Sequence, residues 1–116
     1  ISRSSASIAL RAAGMKTISL EDPLLALRVL AENQLDLVVT DVDMPVTDGY
    51  ELCKQLRLMR RHKTTPVIFL TGLSDFQSRA RSALSGGNEY IVKPFVPAEL
   101  VVKALTLIMK PPTKGK

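Results

Sequence analysis

Short apolar runs alternate with helix-like patterns along the whole chain. Leu37–Thr40, Val67–Leu70 and Tyr90–Val92 are short, apolar and rich in β-branched residues, which is typical of strands buried in a parallel sheet. Thr17–Leu20 is a further short strand candidate. Periodic apolar positions between these runs predict five helices: Ser2–Ala13, Asp22 to about Asn33, Asp48 through Met59, Ser74 to a stop at Gly86, and Pro97–Met109.

Several residues mark helix ends. Gly14 is a good residue to follow the end of the first helix. Asp22 is an N-cap residue followed by a proline at the first helical position, and Asp48 begins a segment resembling a capping box. One apolar face is predicted for the second helix, formed by Leu24, Leu27 and Leu30.

Strands that alternate with helices predict an α/β fold with helices on both faces of a parallel sheet. We expect a doubly wound sheet of five strands in the order 2-1-3-4-5, flanked by five helices. The first strand is central in that order, and the chain begins with a helix instead. We therefore expect a strand of about ten residues before Ile1, outside this sequence. The domain is expected to span 1–110, with 111–116 a tail or the start of a linker.

Length and composition fit one globular domain. The chain has 116 residues, of which 46% are hydrophobic and 23% charged, and no apolar run is long enough to span a bilayer. Its single cysteine, Cys53, cannot form an internal disulfide and is interpreted as a packing residue. A reducing compartment, the cytoplasm, follows from this cysteine usage.

The net charge is +5, and basic residues are concentrated in the second half of the third helix and directly after it. A nucleic-acid surface is one interpretation. The other is a solvated helix whose cations lie near its negative C-terminal end, and no aromatic or groove-reading motif accompanies the charge. His62 is expected to be exposed and to have no ligand role. The basic residues are Lys54, Arg57, Arg60, Arg61 and Lys63.

Polar side chains follow three of the predicted strands. Asp41 follows the first of them, Thr71 and Gly72 the second, and Lys93 the third. Function collects at the carboxyl ends of strands in an open parallel sheet, so a carboxylate, a hydroxyl and an ammonium would meet at one rim. The carboxylate can act as a nucleophile toward a phosphoryl group, and the other two can bind the phosphoryl oxygens.

The segments at these strand ends resemble those of response-regulator receiver domains of two-component systems, which have a flavodoxin-like (CheY-like) fold. Three signatures occur in order: Asp41-Val42-Asp43-Met44-Pro45 with Asp48-Gly49, then Pro66 through Gly72, then Tyr90 through Phe95. The resemblance is ungapped from Ile1 to Met109. It implies a regulatory phosphoacceptor domain rather than a conventional enzyme, one that assists its own phosphorylation and dephosphorylation.

The resemblance also implies roles for individual residues. Asp41 would be the phosphoacceptor, with a phosphohistidine on a histidine kinase or phosphotransfer protein as donor. Lys93 would pair with the carboxylate and then with the phosphate. Thr71 would hydrogen-bond the phosphoryl group, and Tyr90 would change rotamer as Thr71 moves.

The implied cofactor is Mg²⁺, held by Asp41 and by the backbone carbonyl of Asp43. The remaining acidic ligands of the family belong to the first strand and do not occur in this sequence. These ligands are an adjacent pair of acidic residues. The Lys93–Pro94 bond is expected to be cis. If the native protein lacks this acidic pair, the alternative is a pseudo-receiver, a phosphorylation-independent protein-interaction module. A flavodoxin-like ligand binder or hydrolase is disfavoured, because no Gly-rich phosphate loop opens a helix.

The resemblance implies a switch whose output face consists of the last two helices and the last strand, with homodimerisation as a possible output. Nucleic acid would be contacted only through an output domain outside this sequence, and no membrane contact is expected.

Overall fold

Helices and parallel strands alternate in the computed structural model, which describes residues 2–18, 20, 22–42, 48–72 and 76–109. No helix in these ranges is long and apolar enough to cross a membrane. In chain order the elements are α1 (Ser2–Ala12), α2 (Pro23–Glu32), β1 (Val38–Asp41), α3 (Gly49–Arg57), a short 3₁₀ helix (Arg60–His62), β2 (Val67–Thr71), α4 (Phe76–Leu84), β3 (Glu89–Val92) and α5 (Pro97–Met109).

The three strands of the described residues form a parallel sheet in the order β1-β2-β3. Asp41 pairs in register with Leu70, and Thr71 pairs with Val92. Every residue of β2 is buried, whereas most of β1 and β3 is only half-buried. Because the strands are parallel, their carboxyl ends lie at the same edge of the sheet.

The core lies on both faces of the sheet. Ile68 and Leu70 of β2 pack with buried residues of α1 and α5, such as Leu100. Val67 and Phe69 pack on the opposite face with residues of α2 and α3, since successive side chains of a strand point to opposite faces. The predicted α/β arrangement, with helices on both sides of a parallel sheet, is confirmed.

Local signals in the sequence place the helix ends. Asp22 accepts a hydrogen bond from the Leu24 backbone N–H at 2.9 Å, and Asp48 accepts one from the Glu51 N–H at 2.8 Å. Gly14 has a φ of 95°, a conformation that costs glycine little. Residue type alone predicts these caps. They fix the residues at which α2 and α3 begin.

The strand predicted at Thr17–Leu20 does not form in the part of this segment that the structure describes. Thr17, Ile18 and Leu20 have no strand conformation, and Ile18 is 61% exposed. A cavity of about 140 Å³ separates Ile18 and Leu20 from β1 and α2. A strand needs a neighbour that satisfies its backbone groups, and β1 pairs only with β2 among the described residues.

Two further predictions about side-chain exposure are wrong. Leu24 is 72% exposed. The buried residues of α2 are instead Pro23 and Leu30, which lie about two helical turns apart and therefore on one side of the helix. His62 is fully buried, with Nδ1 2.9 Å from the Thr65 hydroxyl and Nε2 2.7 Å from the Leu30 carbonyl oxygen. The ring therefore connects the 3₁₀ helix to the end of α2, which gives it a structural role. Residues 111–116, the predicted tail, lie outside the described residues.

Candidate functional site

Asp41 and Lys93 meet at the carboxyl edge of the sheet. Asp41 is the last residue of β1, and Lys93 directly follows β3. Lys93 Nζ lies 3.3 Å from Asp41 Oδ1. The side chains are 28% and 24% exposed, respectively, so the ion pair is partly shielded from water but open to a reactant. A carboxylate and an ammonium thus occupy one accessible site.

Thr71 lies between them in the sheet, as the last residue of β2. It is only 3% exposed, so its hydroxyl is less accessible than the ion pair. The backbone holds the three strand ends together: the Lys93 N–H donates to the Thr71 carbonyl at 2.7 Å, and the Val42 N–H donates to the Leu70 carbonyl at 2.9 Å. The relative positions of Asp41, Thr71 and Lys93 are therefore set by main-chain hydrogen bonds.

The remaining predicted site residues lie further from this pair or outside the described ranges. Tyr90 belongs to β3, pairs in register with Phe69 and is half-buried against the core cluster shared with α3. The Lys93–Pro94 peptide bond is cis. Asp43, the predicted backbone ligand for Mg²⁺, lies outside the described residues.

Sequence reasoning missed how closely the start of α3 packs against Asp41. The Gly49 N–H donates to the Val42 carbonyl at 2.8 Å, and a Cβ at position 49 would overlap the Asp41 carbonyl oxygen. The Asp48-Gly49 pair marks a helix start in the sequence, yet its contact with the phosphoacceptor candidate depends on the tertiary fold. Arg81 of α4, which contacts Asp48 and Tyr50, carries no sequence signal.

The site has no complete set of metal ligands within residues 2–18, 20, 22–42, 48–72 and 76–109. No group of three or more His, Cys, Asp or Glu side chains there could hold a metal ion. Mg²⁺ prefers several oxygen ligands in octahedral geometry, so Asp41 by itself does not fit it. The cation that the structure does place at Asp41 is the Lys93 ammonium.

Comparison with known proteins gives consistent matches. Residues 1–105 match the family model described as response regulator receiver domain. The transcriptional regulatory protein ResD of Bacillus subtilis is 39% identical over 68% of this chain, and the match covers 32% of ResD. The transcriptional regulatory protein PrrA of Mycobacterium tuberculosis is 37% identical over 87% of this chain, and the match covers 42% of PrrA. The chain thus spans less than half the length of these curated relatives.

Solved structures agree with this assignment. The chemotaxis protein CheY4 of Vibrio cholerae has a TM-score of 0.83 and 30% identity, with 92% of this chain and 88% of that chain covered. The receiver domain of the sensor histidine kinase PA1611 from Pseudomonas aeruginosa has a TM-score of 0.82 and 28% identity, covering 90% and 86%. That structure is described with a magnesium ion coordinated in its active-site cleft. With its CheY-like α/β fold, this chain belongs to the response regulator receiver domain family of two-component systems.

Proposed function

We propose that this domain accepts a phosphoryl group on Asp41 from a phosphohistidine of a histidine kinase or phosphotransfer protein. The observation that carries the proposal is the 3.3 Å ion pair between Asp41 and Lys93 at an accessible strand edge. An ammonium beside the carboxylate attracts an incoming phosphoryl group, which carries negative charge. Partial burial strengthens this attraction relative to a pair in bulk water.

The proposed transfer needs one nucleophile and one leaving group. A carboxylate oxygen of Asp41 forms a bond to phosphorus, while the bond between phosphorus and the donor's imidazole nitrogen breaks and its electron pair stays on the imidazole. Lys93, which pairs with the carboxylate before the transfer, then also binds a phosphoryl oxygen. Hydrolysis by water returns the Asp41 carboxylate and releases inorganic phosphate. The domain supplies positioned charge to both steps, which is how it assists its own phosphorylation and dephosphorylation.

Thr71 and Tyr90 have switching roles in this proposal. Thr71 is buried next to the acceptor strand, so its hydroxyl must reorient to reach a phosphoryl oxygen on Asp41. Tyr90 lies on the neighbouring strand and is only half-buried, which leaves its ring room to change rotamer. The charge added at Asp41 would thereby bias two packings of one domain.

The described residues do not supply a complete set of ligands for the Mg²⁺ ion of this proposal. Asp41 lacks enough described carboxylate neighbours to hold the ion, so the metal would require the Asp43 carbonyl and an acidic pair outside this sequence. When bound, Mg²⁺ would neutralise charge on the phosphoryl oxygens. The groups of this chain that act in the proposed transfer itself are Asp41, Thr71 and Lys93.

The experiment uses the domain with any native residues that precede Ile1, together with acetyl phosphate and MgCl₂. Intact mass spectrometry should find the mass of one added phosphoryl group, and borohydride reduction should convert residue 41 to homoserine, which identifies an acyl phosphate. Asp41→Asn should abolish the modification. Asp36→Asn, which changes an exposed carboxylate just before β1, should leave it intact. A folded wild-type domain that contains the acidic pair and stays unmodified would contradict the proposal.

The second candidate is a pseudo-receiver that binds a partner without phosphorylation. The observation that favours it is the missing metal-ligand cluster in the described part of the chain. In this case the wild-type chain stays unmodified, and Asp41→Asn binds the same partner with unchanged affinity. A phosphorylated chain whose partner affinity changes would exclude this candidate.

The output face is proposed to consist of α4, β3 and α5. Val102 and Met109 of α5 are 61% and 75% exposed, and Leu84 at the end of α4 is 84% exposed. Apolar side chains of this kind suit a homodimer interface. Sedimentation of the phosphorylated chain should show a dimer, and Val102→Glu should return it to a monomer. Contacts to nucleic acid would come only through another domain of a longer protein.

We place the domain in the cytoplasm in this proposal, where a histidine kinase would act on it. Cys53 is a buried, free cysteine that forms no disulfide, which is compatible with a reducing compartment.

A further inference from the structure

Arg81 connects α4 to the beginning of α3. Its guanidinium carbon lies 4.4 Å from the centre of the Tyr50 ring, in a cation–π arrangement. Its Nη2 atom lies 3.7 Å from Asp48 Oδ2. The proposed phosphoryl transfer uses neither contact. The Arg81 side chain is also 61% exposed, so packing in the core does not account for its position over this ring.

The turn that Arg81 contacts is tied to the strand that carries Asp41. Asp48 caps α3 through the Glu51 N–H, and the Gly49 N–H donates to the Val42 carbonyl at 2.8 Å. Gly49 also packs against the Asp41 carbonyl without space for a Cβ. A displacement of this turn would therefore be transmitted directly to the main chain of Asp41.

The same turn is tied to β2. Tyr50 is 4% exposed, and its ring centre lies 4.9 Å from that of Phe69. Phe69 belongs to the strand that ends at Thr71, and α4 is the next helix after that strand. Arg81 thus bridges two structural units, α4 on one side and the Asp48–Tyr50 turn on the other.

We infer that Arg81 is a positioning residue that couples the position of α4 to the Asp41 main chain by holding α4 against the Asp48–Tyr50 turn. Coupling of this kind is reciprocal: a change at Asp41 that moves the turn pulls on α4, and a change in α4 loosens the turn. An exposed ion pair and an exposed cation–π contact are both weak. The bridge can therefore break during a switch and shift populations by a few-fold, rather than lock the domain. Its regulatory consequence rests on the proposed function, while the coupling itself does not.

Hydrogen exchange in the unphosphorylated chain tests the coupling. In Arg81→Met, the Gly49 amide should exchange several-fold faster than in the wild type, because the hydrogen bond to Val42 opens more often. The Phe69 amide of central β2 should not change, since a general loss of stability would raise both rates together. Arg81→Lys should restore part of the protection, because it keeps the cation but not the planar group over Tyr50.

Arg79→Met is the matched control, since Arg79 is an exposed arginine on the same helix. It should leave the Gly49 rate unchanged. Equal Gly49 rates in Arg81→Met and Arg79→Met would overturn the inference, whether or not Asp41 accepts phosphate. An equal increase in the exchange rates of the Gly49 and Phe69 amides would also overturn the inference, because Arg81 would then only stabilise the domain as a whole.

Phosphorylation supplies the second measurement. The bridge exists in the unphosphorylated structure, so its loss should favour the alternative packing and raise the rate of modification by acetyl phosphate a few-fold in Arg81→Met but not in Arg79→Met. An unmodified wild-type domain that contains the acidic pair would contradict the proposed function alone, and the exchange rates would still decide the coupling. A modified wild-type chain with unchanged rates in Arg81→Met would contradict the regulatory consequence.

Discussion

The backbone of Gly49 lies against the carbonyl group of Asp41, with no room for a side-chain carbon between them. A Cβ at position 49 would overlap the Asp41 carbonyl oxygen and would lie 3.2 Å from the Thr40 methyl carbon. The atoms in the way belong mainly to the backbone, which cannot rotate aside as a side chain can. The end of β1 and the first turn of α3 are therefore in direct main-chain contact.

Gly49→Ala should destabilise the domain by about 1–3 kcal/mol, since β1 and α3 must separate to admit the methyl group. Urea unfolding measures the loss. Gly72→Ala is the control, because a Cβ at position 72 would meet nothing within 4 Å. If both variants lose the same stability, the close approach at Asp41 has no energetic importance.

Lys93→Met should slow phosphoryl acceptance by Asp41 about a hundredfold, a typical loss when one charge-stabilising group is removed from a reaction site. The side chain keeps a similar length but loses the ammonium that lies 3.3 Å from Asp41 Oδ1. The rate is measured by intact mass after addition of acetyl phosphate. Lys103→Met, which removes a lysine of α5 that is paired with Glu89 of β3 and Glu99 of α5, should react at the wild-type rate. A wild-type rate in Lys93→Met would exclude the proposed role.

Arg57→Met should cost about 3 kcal/mol of stability, because partly buried acceptors lose a charged donor. The guanidinium connects the end of α3 to the segment that follows it and to the segment before β3, and its acceptors are the carbonyl oxygens of His62, Thr65 and Gly86 and the side-chain oxygen of Asn88. Arg61→Met, at an exposed arginine of the adjacent 3₁₀ helix, should have little effect. Chemical denaturation that finds equal losses would show that the Arg57 hydrogen bonds add no net stability.

The pH dependence of stability should carry a contribution from Cys53. Burial raises the pKa of its thiol, while the charge of Arg57 and a hydrogen bond to Ser85 act in the opposite direction. In the unfolded chain the thiol ionises at about pH 8.5. Above that pH the unfolded state releases the proton and the folded state retains it, so the free energy of unfolding falls as pH rises.

Urea unfolding of the wild type and of Cys53→Ala between neutral and alkaline pH isolates this contribution. Ionisation of other groups cancels in the difference between the two proteins. The stability advantage of the wild type should be constant below the unfolded-state pKa and should shrink above it. Parallel profiles across the whole range would contradict the burial effect on the thiol.

Local sequence signals predict the helix ends and strand ends that build the site. Asp22 and Asp48 cap their helices because a short carboxylate reaches backbone N–H groups two or three residues away, an interaction that needs no distant partner. The strands ending at Asp41 and Thr71 are predictable because short apolar, β-branched runs lose most by staying exposed. Strand pairing also depends on neighbours, and the strand expected at Thr17–Leu20 is not formed where the structure describes it.

The sequence by itself determined the α/β fold and the family, together with the prediction that a carboxylate, a hydroxyl and an ammonium end up at one sheet edge. The strands and helices follow from residue patterns within short segments of the chain. The general rules for parallel sheets then place the strand ends at one edge. Only the tertiary structure decided that Lys93 reaches Asp41, that Gly49 must lack a side chain, that His62 is buried and that Arg81 lies over Tyr50. Each of these contacts joins separate elements of the fold, so its geometry follows from how the helices pack on the sheet rather than from any local pattern.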